Sequence, residues 1–189
     1  MKKKAAQLRD DMRGELFIAH ACRDFWWRSV GVNERRDQIL QAFNAHLGYF
    51  GVSIPLFFRC YVIILMTLFD PDKRSITFRE LLRALQGVPE PIGKPFDEIE
   101  RDIEAAELIA RKLNKIRNKH LAHRSQEIFD RNFYMETGLS HNDVKDLWDG
   151  CWAIFEALSY HVDRSLEEPL QDNVYAFDRL IDSLVPKNT

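Results

Sequence analysis

One long amphipathic segment constrains this chain more than any other stretch. Apolar residues recur at Ile99, Ile103, Ala106, Ile109 or Ala110, Leu113 and Ile116, in alternating steps of three and four. That spacing is the mark of a helix with one buried face. The helix is predicted from about residue 96 to 122, and it closes on Arg117-Asn118-Lys119-His120-Leu121-Ala122-His123-Arg124. At about 100° per residue, Arg117 falls on the continuation of the inward stripe, His120 near its centre and His123 at its edge. A guanidinium and two imidazoles thus stand where the pattern asks for Leu or Ile. An unpaired buried Arg is costly, so this end is expected to open onto a cleft, a partner or a ligand.

The remaining segments read as helices packed around that one. Residues 5 to about 30 carry Leu8, Met12, Leu16, Ala19 and Cys22 on one face, with Gly31 as the stop. Asn33 is the expected N-cap of a second helix to about Leu47, with the stripe Ile39, Leu40, Phe43, Leu47. Gly48 and Gly51 suggest a turn, after which Ser53 and Pro55 open an apolar helix to Phe69, placed centrally because it is apolar nearly all round. Thr77 with Glu80, and Ser140 with Asp143, have capping-box spacing ahead of helices reaching Gly87 and about Leu166. The latter has the stripe Val144, Leu147, Cys151, Ile154, Phe155, Leu158, Val162, and a last helix spans about 173–184. No strand pattern or repeat occurs. The expected fold is therefore all-α, a compact up-and-down bundle of five to six main helices. It forms a single domain over residues 1–189, with 87–95 and 124–139 as internal loops.

Composition narrows the function classes. A net charge of −2 excludes whole-molecule attraction to nucleic acid, so any such contact must be a local patch. Arg111, Lys112, Lys115, Arg117, Lys119 and Arg124 supply one, with no acidic residue between Glu107 and Glu127. The three cysteines, Cys22, Cys60 and Cys151, are widely separated and suit reduced thiols in a cytoplasmic protein. The basic start lacks the apolar region of a signal peptide. The apolar run Ile54 to Phe69 contains Arg59 and is shorter than the roughly 18 residues of a membrane span. No nucleotide-binding glycine motif or nucleophile elbow is present.

A His and an Arg converging on one phosphate have a definite chemistry. The His exchanges a proton near neutral pH and the Arg stabilises the charge of a five-coordinate phosphorane, which together suffice to cut RNA without a metal or other cofactor. Simpler readings exist beside it. Lysines near a helix C-terminus favour its dipole and are often only solvated. His120 and His123, one turn apart, resemble a pair of metal ligands, but no matching Cys or carboxylate pair accompanies them. Asp70 and Asp72 have partial calcium-loop spacing that Pro71 and the missing downstream Gly and Glu oppose, so a capping role or pairing with Lys73, Arg74 or Arg79 is expected instead. Trp148 and Trp152 suit a core or interface better than base stacking.

At these residues the sequence resembles HEPN domains. Arg117-Asn118, followed after a short spacer by His123, fits their Arg-polar-x-His pattern, with five residues between Arg and His. The surroundings 113–124 and the upstream Leu68-Phe69-Asp70-Pro71-Asp72-Lys73-Arg74-Ser75 look like the AbiU2-type branch, named for a phage abortive-infection protein. The resemblance implies a helical bundle that dimerises through the motif helix. It also implies a metal-independent endoribonuclease of phage defence or of a toxin–antitoxin pair, partnered by an antitoxin or a nucleotidyltransferase. Arg117 would then bind the phosphate, Asn118 orient the site and His123 act as general base or acid. His120, without a fixed place in the pattern, would be a second proton-transfer group or a dimer contact. Some members of the wider family are silent modules binding RNA, nucleotide or a partner protein, which is the alternative reading.

Overall fold

The computed structural model describes residues 2–31, 34–70, 75–86, 93–116, 138–164 and 174–185. Among them there are seven helices and no strand: α1 (Lys2–Val30), α2 (Arg36–Ala45), α3 (Leu47–Thr67), α4 (Phe78–Leu85), α5 (Phe96–Ile116), α6 (His141–Asp163) and α7 (Val174–Leu184). The protein is all-α. Its contacts divide into two compact units, one of residues 1–16 with 62–168 and one of residues 17–61 with 169–189, the breaks falling inside α1 and α3.

In the first unit, α4 packs on α5 and α6, and α5 on α6. Every third or fourth side chain of α5 is buried: Ile99, Ile103, Ala106, Ala110 and Leu113. Ala110, not the half-buried Ile109, carries the stripe. The opposing face of α6 consists of Val144, Leu147, Cys151, Ile154, Phe155 and Leu158, all buried, while Val162 is half-buried. Phe78, Leu81, Leu82 and Leu85 complete this core from α4. Thr77 caps α4 by accepting the Glu80 N–H at 3.1 Å. Ser140 and Asp143 form a reciprocal capping box on α6, with bonds of 3.0 and 2.6 Å. Arg9 of α1 donates to the Asp163 carboxylate at 2.5 Å, tying α1 to the end of α6. Before α5, Gly93 has φ +109°, and a Cβ there would lie 2.8 Å from the Tyr160 ring, so both backbone and space require glycine.

In the second unit, α2 packs on α7. Phe25 meets Phe57 at 4.2 Å and Phe177 edge-on at 5.1 Å between ring centres. Arg35 pairs with the carboxylates of Asp178 and Asp182. Helix α1 stops where expected, the Gly31 N–H donating to the Trp27 carbonyl at 2.7 Å.

Four sequence expectations are corrected here. Helix α2 begins after Arg35, which makes no side-chain cap, so Asn33 is not its N-cap; its buried residues are Ile39 and Ala42, while Leu40 and Leu47 are exposed. Helix α3 begins at Leu47, six residues before Ser53, and runs through Gly48, Gly51 and Pro55. Nothing lies within 4 Å of a Cβ at either glycine, so neither is there for close packing. Each costs only about 1 kcal/mol against Ala in a helix, less than burial of Phe50 and Ile54 returns. Nor is α3 buried all round. Phe50, Ile54, Phe58, Tyr61, Val62 and Leu65 face the core, but Tyr49, Val52, Leu56 and Ile63 are exposed. At 21 residues, α3 is long and apolar enough to cross a membrane by length and composition, so the argument from a short run fails; 39% of its most apolar window is buried within the fold.

Candidate functional site

Helix α5 is built to carry charge at both ends. Asp97 and Glu98 occupy its first turn, where the backbone N–H groups favour negative charge. Its buried stripe holds through Leu113, the last residue of that face whose side chain is described. Arg117, Asn118, Lys119, His120, His123 and Arg124 lie outside the described residues, as do the side chains of Lys115 and Ile116. Asp72, Lys73 and Arg74 lie outside them too.

Of the expected basic cluster, Arg111 and Lys112 are described, and both are exposed. Arg111 is 74% exposed and reaches Glu107 only at 3.7 Å. Lys112 acts on the start of α6. The backbone N–H of Ser140 holds the Asp143 carboxyl below its ordinary range, its hydroxyl adds to this, and the Lys112 charge contributes further. Trp148 is buried and stacks on Trp152 with ring centres 6.3 Å apart, a packing role as expected. Among the described residues, no three His, Cys, Asp or Glu side chains are grouped to hold a metal. All three cysteines are free; Cys22 and Cys151 are buried, and Cys60 is exposed.

The described residues do form a pocket, one that the periodicity did not disclose. It has a volume of about 640 Å³ and lies between the end of α3, the turn that follows, α4 and the second half of α5. Met66, Leu68, Phe69 and Ala110 give it an apolar lining. Around them stand Arg79 and Glu80 from the first turn of α4, Arg83 one turn on, and Glu107, Arg111 and Asn114 from α5. Asp70 and Ser75 enter from the turn.

Arg79 is committed to the wall. Its Nε and Nη2 donate to the two Glu107 oxygens at 2.6 and 3.0 Å, with Glu100 at 3.5 Å, and the Glu107 bond holds its guanidinium above the usual range. Arg79 thus holds Glu107 in a bidentate pair; the expected pairing of Asp72 with Lys73 or Arg74 lies outside the described residues. Glu80 pairs with Lys4 at 3.2 Å. Arg83, exposed, makes no ion pair among the described residues. The Asn114 Oδ1 is buried without a hydrogen-bond partner among the described residues, a cost for a polar atom unless a donor arrives.

Sequence reasoning passed over Arg83 and Asn114. The one available signal was the spacing of Arg79 and Arg83, four apart and on the side of α4 away from Phe78, Leu81, Leu82 and Leu85. Such a face is ordinarily solvated, so spacing alone does not mark it.

No curated protein and no solved structure matches the chain. A family model does, the HEPN model described as AbiU2, over residues 3–183. That match takes in the pocket, the capped helices α4 and α6 and the Arg117–His123 segment, so the chain belongs to the AbiU2 family of HEPN domains.

Proposed function

We propose that this protein is a metal-independent endoribonuclease of the HEPN type, working in the cytoplasm in phage defence or as the toxin of a toxin–antitoxin pair. The observation that carries the reading is the Arg117-Asn118…His123 pattern, following an α5 whose inward stripe is buried up to Leu113, in a chain matched by the AbiU2 model almost throughout. The exposed Arg111 and Lys112 add local positive charge to an otherwise acidic molecule.

In this mechanism His123 removes the proton of a ribose 2′-hydroxyl, whose oxygen attacks the adjacent phosphorus. Arg117 pairs with the non-bridging oxygens as charge builds on the phosphorane. The 5′-oxygen leaves with a proton, giving a 2′,3′-cyclic phosphate and a 5′-hydroxyl. Asn118 orients the site, and His120 supplies the second proton transfer or a dimer contact. Two copies associate through the end of α5, so that two Arg/His sets face one cleft, and a cognate antitoxin or nucleotidyltransferase restrains the activity.

The test is cleavage of total and transfer RNA by purified protein in EDTA, beside Arg117→Ala and His123→Ala. Loss of general acid–base catalysis alone lowers the rate about a hundredfold or more. Cyclic phosphate ends made by wild type and lost in both variants support the enzyme. RNA or partner binding without cutting replaces it with the silent module.

A further inference from the structure

Two of the three thiols meet, although the sequence sets them far apart. Cys22 lies in the second half of α1 and Cys60 past the middle of α3, both within the second compact unit. Ring contacts fix the register of the two helices there. Phe25 meets Phe57 with ring centres 4.2 Å apart, and Trp26 meets Phe58 at 4.7 Å. One turn back along α1 from Phe25 stands Cys22, and one turn on along α3 from Phe57 stands Cys60. In an antiparallel pair of helices those two steps set the cysteines opposite each other. The Cys22 thiol responds to that neighbour: after burial, what raises it is the charge and the hydrogen-bonding of Cys60. The two environments are unequal. Cys60 is exposed and open to a small solute, whereas Cys22 is buried behind it. Cys151, on α6, is raised by burial alone and has no such thiol neighbour among the described residues.

We propose that Cys22 and Cys60 are a reversible oxidant-responsive pair, free as thiols when reduced and joined as a disulfide between α1 and α3 by a hydroperoxide. Cys60 reacts first: its sulfur attacks a peroxide oxygen and the O–O bond breaks. The peroxide is reduced to water or an alcohol, and Cys60 is oxidised to the sulfenic acid. Cys22 then gives up its proton and its sulfur attacks that of Cys60. The S–O bond breaks, and the hydroxide leaves as water with that proton. Because burial makes the Cys22 thiol slow to ionise, this second step sets the rate. A small dithiol restores both thiols by exchange. All three cysteines are free here, so the structure shows the reduced form. The segment enclosed by the bond contains all of α2, and closing that loop restricts the unfolded chain, so the oxidised protein melts at a higher temperature.

The test treats the full chain with hydrogen peroxide, alkylates the remaining thiols in denaturant and maps the peptides by mass spectrometry. Expected is a Cys22–Cys60 cross-link within one chain, reversed by dithiothreitol, with Cys151 still alkylated and the melting temperature raised. Cys60→Ser, at an exposed position, abolishes the cross-link and the rise in melting temperature. Cys22→Ala halts the reaction at the Cys60 sulfenic acid, which dimedone traps. Peroxide that drives Cys60 on to the sulfinic acid while Cys22 stays alkylatable overturns the proposal. So does a disulfide that joins Cys60 only between chains, or a cross-link that survives in Cys60→Ser.

Discussion

Leu108 and Leu113 lie five residues apart in α5 and offer a same-chemistry test of its register. About 140° separates them on the wheel. Leu113 is fully buried, whereas Leu108 is 62% exposed. Leu→Ala removes the same atoms at both and slightly favours helix at both, so propensity cancels in the comparison. At Leu113 the lost transfer energy is joined by a cavity against α6, for a cost of about 3 kcal/mol. At Leu108 most of that surface already meets water, and the cost is under about 1 kcal/mol. With a urea m-value of about 2 kcal/mol/M, Leu113→Ala lowers the unfolding midpoint by about 1.5 M and Leu108→Ala by less than about 0.5 M. Helical circular dichroism at increasing urea reads both. Should the two units melt separately, the shift belongs to the transition that includes α5. Equal shifts, or a larger one for Leu108→Ala, would refute the assignment of the buried face. The result bears on function because Arg117 stands four residues past Leu113, so the register here sets the direction that a continuing helix gives to Arg117.

Three further outcomes follow from local contacts. Ser140→Ala removes the α6 cap at a cost of about 1 kcal/mol, seen as a lower melting temperature. Because Asp143 is held below its ordinary value of 3.8, the folded state releases that proton more readily than the unfolded chain. Its stabilisation is therefore present above pH 3.8 and is lost as pH falls through the folded value. Asp143→Asn should flatten that part of a melting-temperature profile; an unchanged slope argues against the capping box. Thiol titration with an aromatic disulfide should find one reactive group in the native protein, the exposed Cys60, and three in denaturant. Burial, and then the neighbouring Cys60, push the Cys22 thiol up to about 12, while burial alone raises Cys151. Rapid native modification of two or more thiols would show the core to be open.

The parts of the fold that periodicity encodes were legible. The stripes of α1, α5 and α6 are set by apolar residues at three- and four-residue steps, and burial follows them through Cys22, Leu113 and Leu158, with Val162 half-buried. Capping was legible for the same reason, since Thr77 and Ser140 act on N–H groups three residues away. The misreadings arose where a local cue competed with tertiary packing. Gly48 and Gly51 signal a turn in isolation, yet Leu47 to Ile54 presents Phe50 and Ile54 to the core only as helix. In α2, the larger Leu40 looked like a core residue, while the packing chose Ala42, whose small side chain permits close approach. The exposed face of α3 was illegible because an apolar composition does not record which side meets other helices.

The pocket was illegible for a different reason. Its character depends on which carboxylate each arginine meets, and that is fixed by contacts between residues far apart in the chain: Arg79 with Glu107, Lys4 with Glu80. A count along the sequence finds equal numbers of opposite charges and returns a neutral surface. The geometry instead places one carboxylate between two guanidiniums, bidentate to Arg79 and only 3.7 Å from Arg111. Glu107 thereby rigidifies the wall while leaving Arg111 only weakly held. Arg111 belongs equally to the basic run that continues toward Arg117, so α5 carries both a cation of the pocket and the segment proposed for catalysis. A strand of RNA needs many phosphate contacts of modest strength more than one deep site, and a helix that offers cations on consecutive turns meets that need without making the molecule as a whole basic.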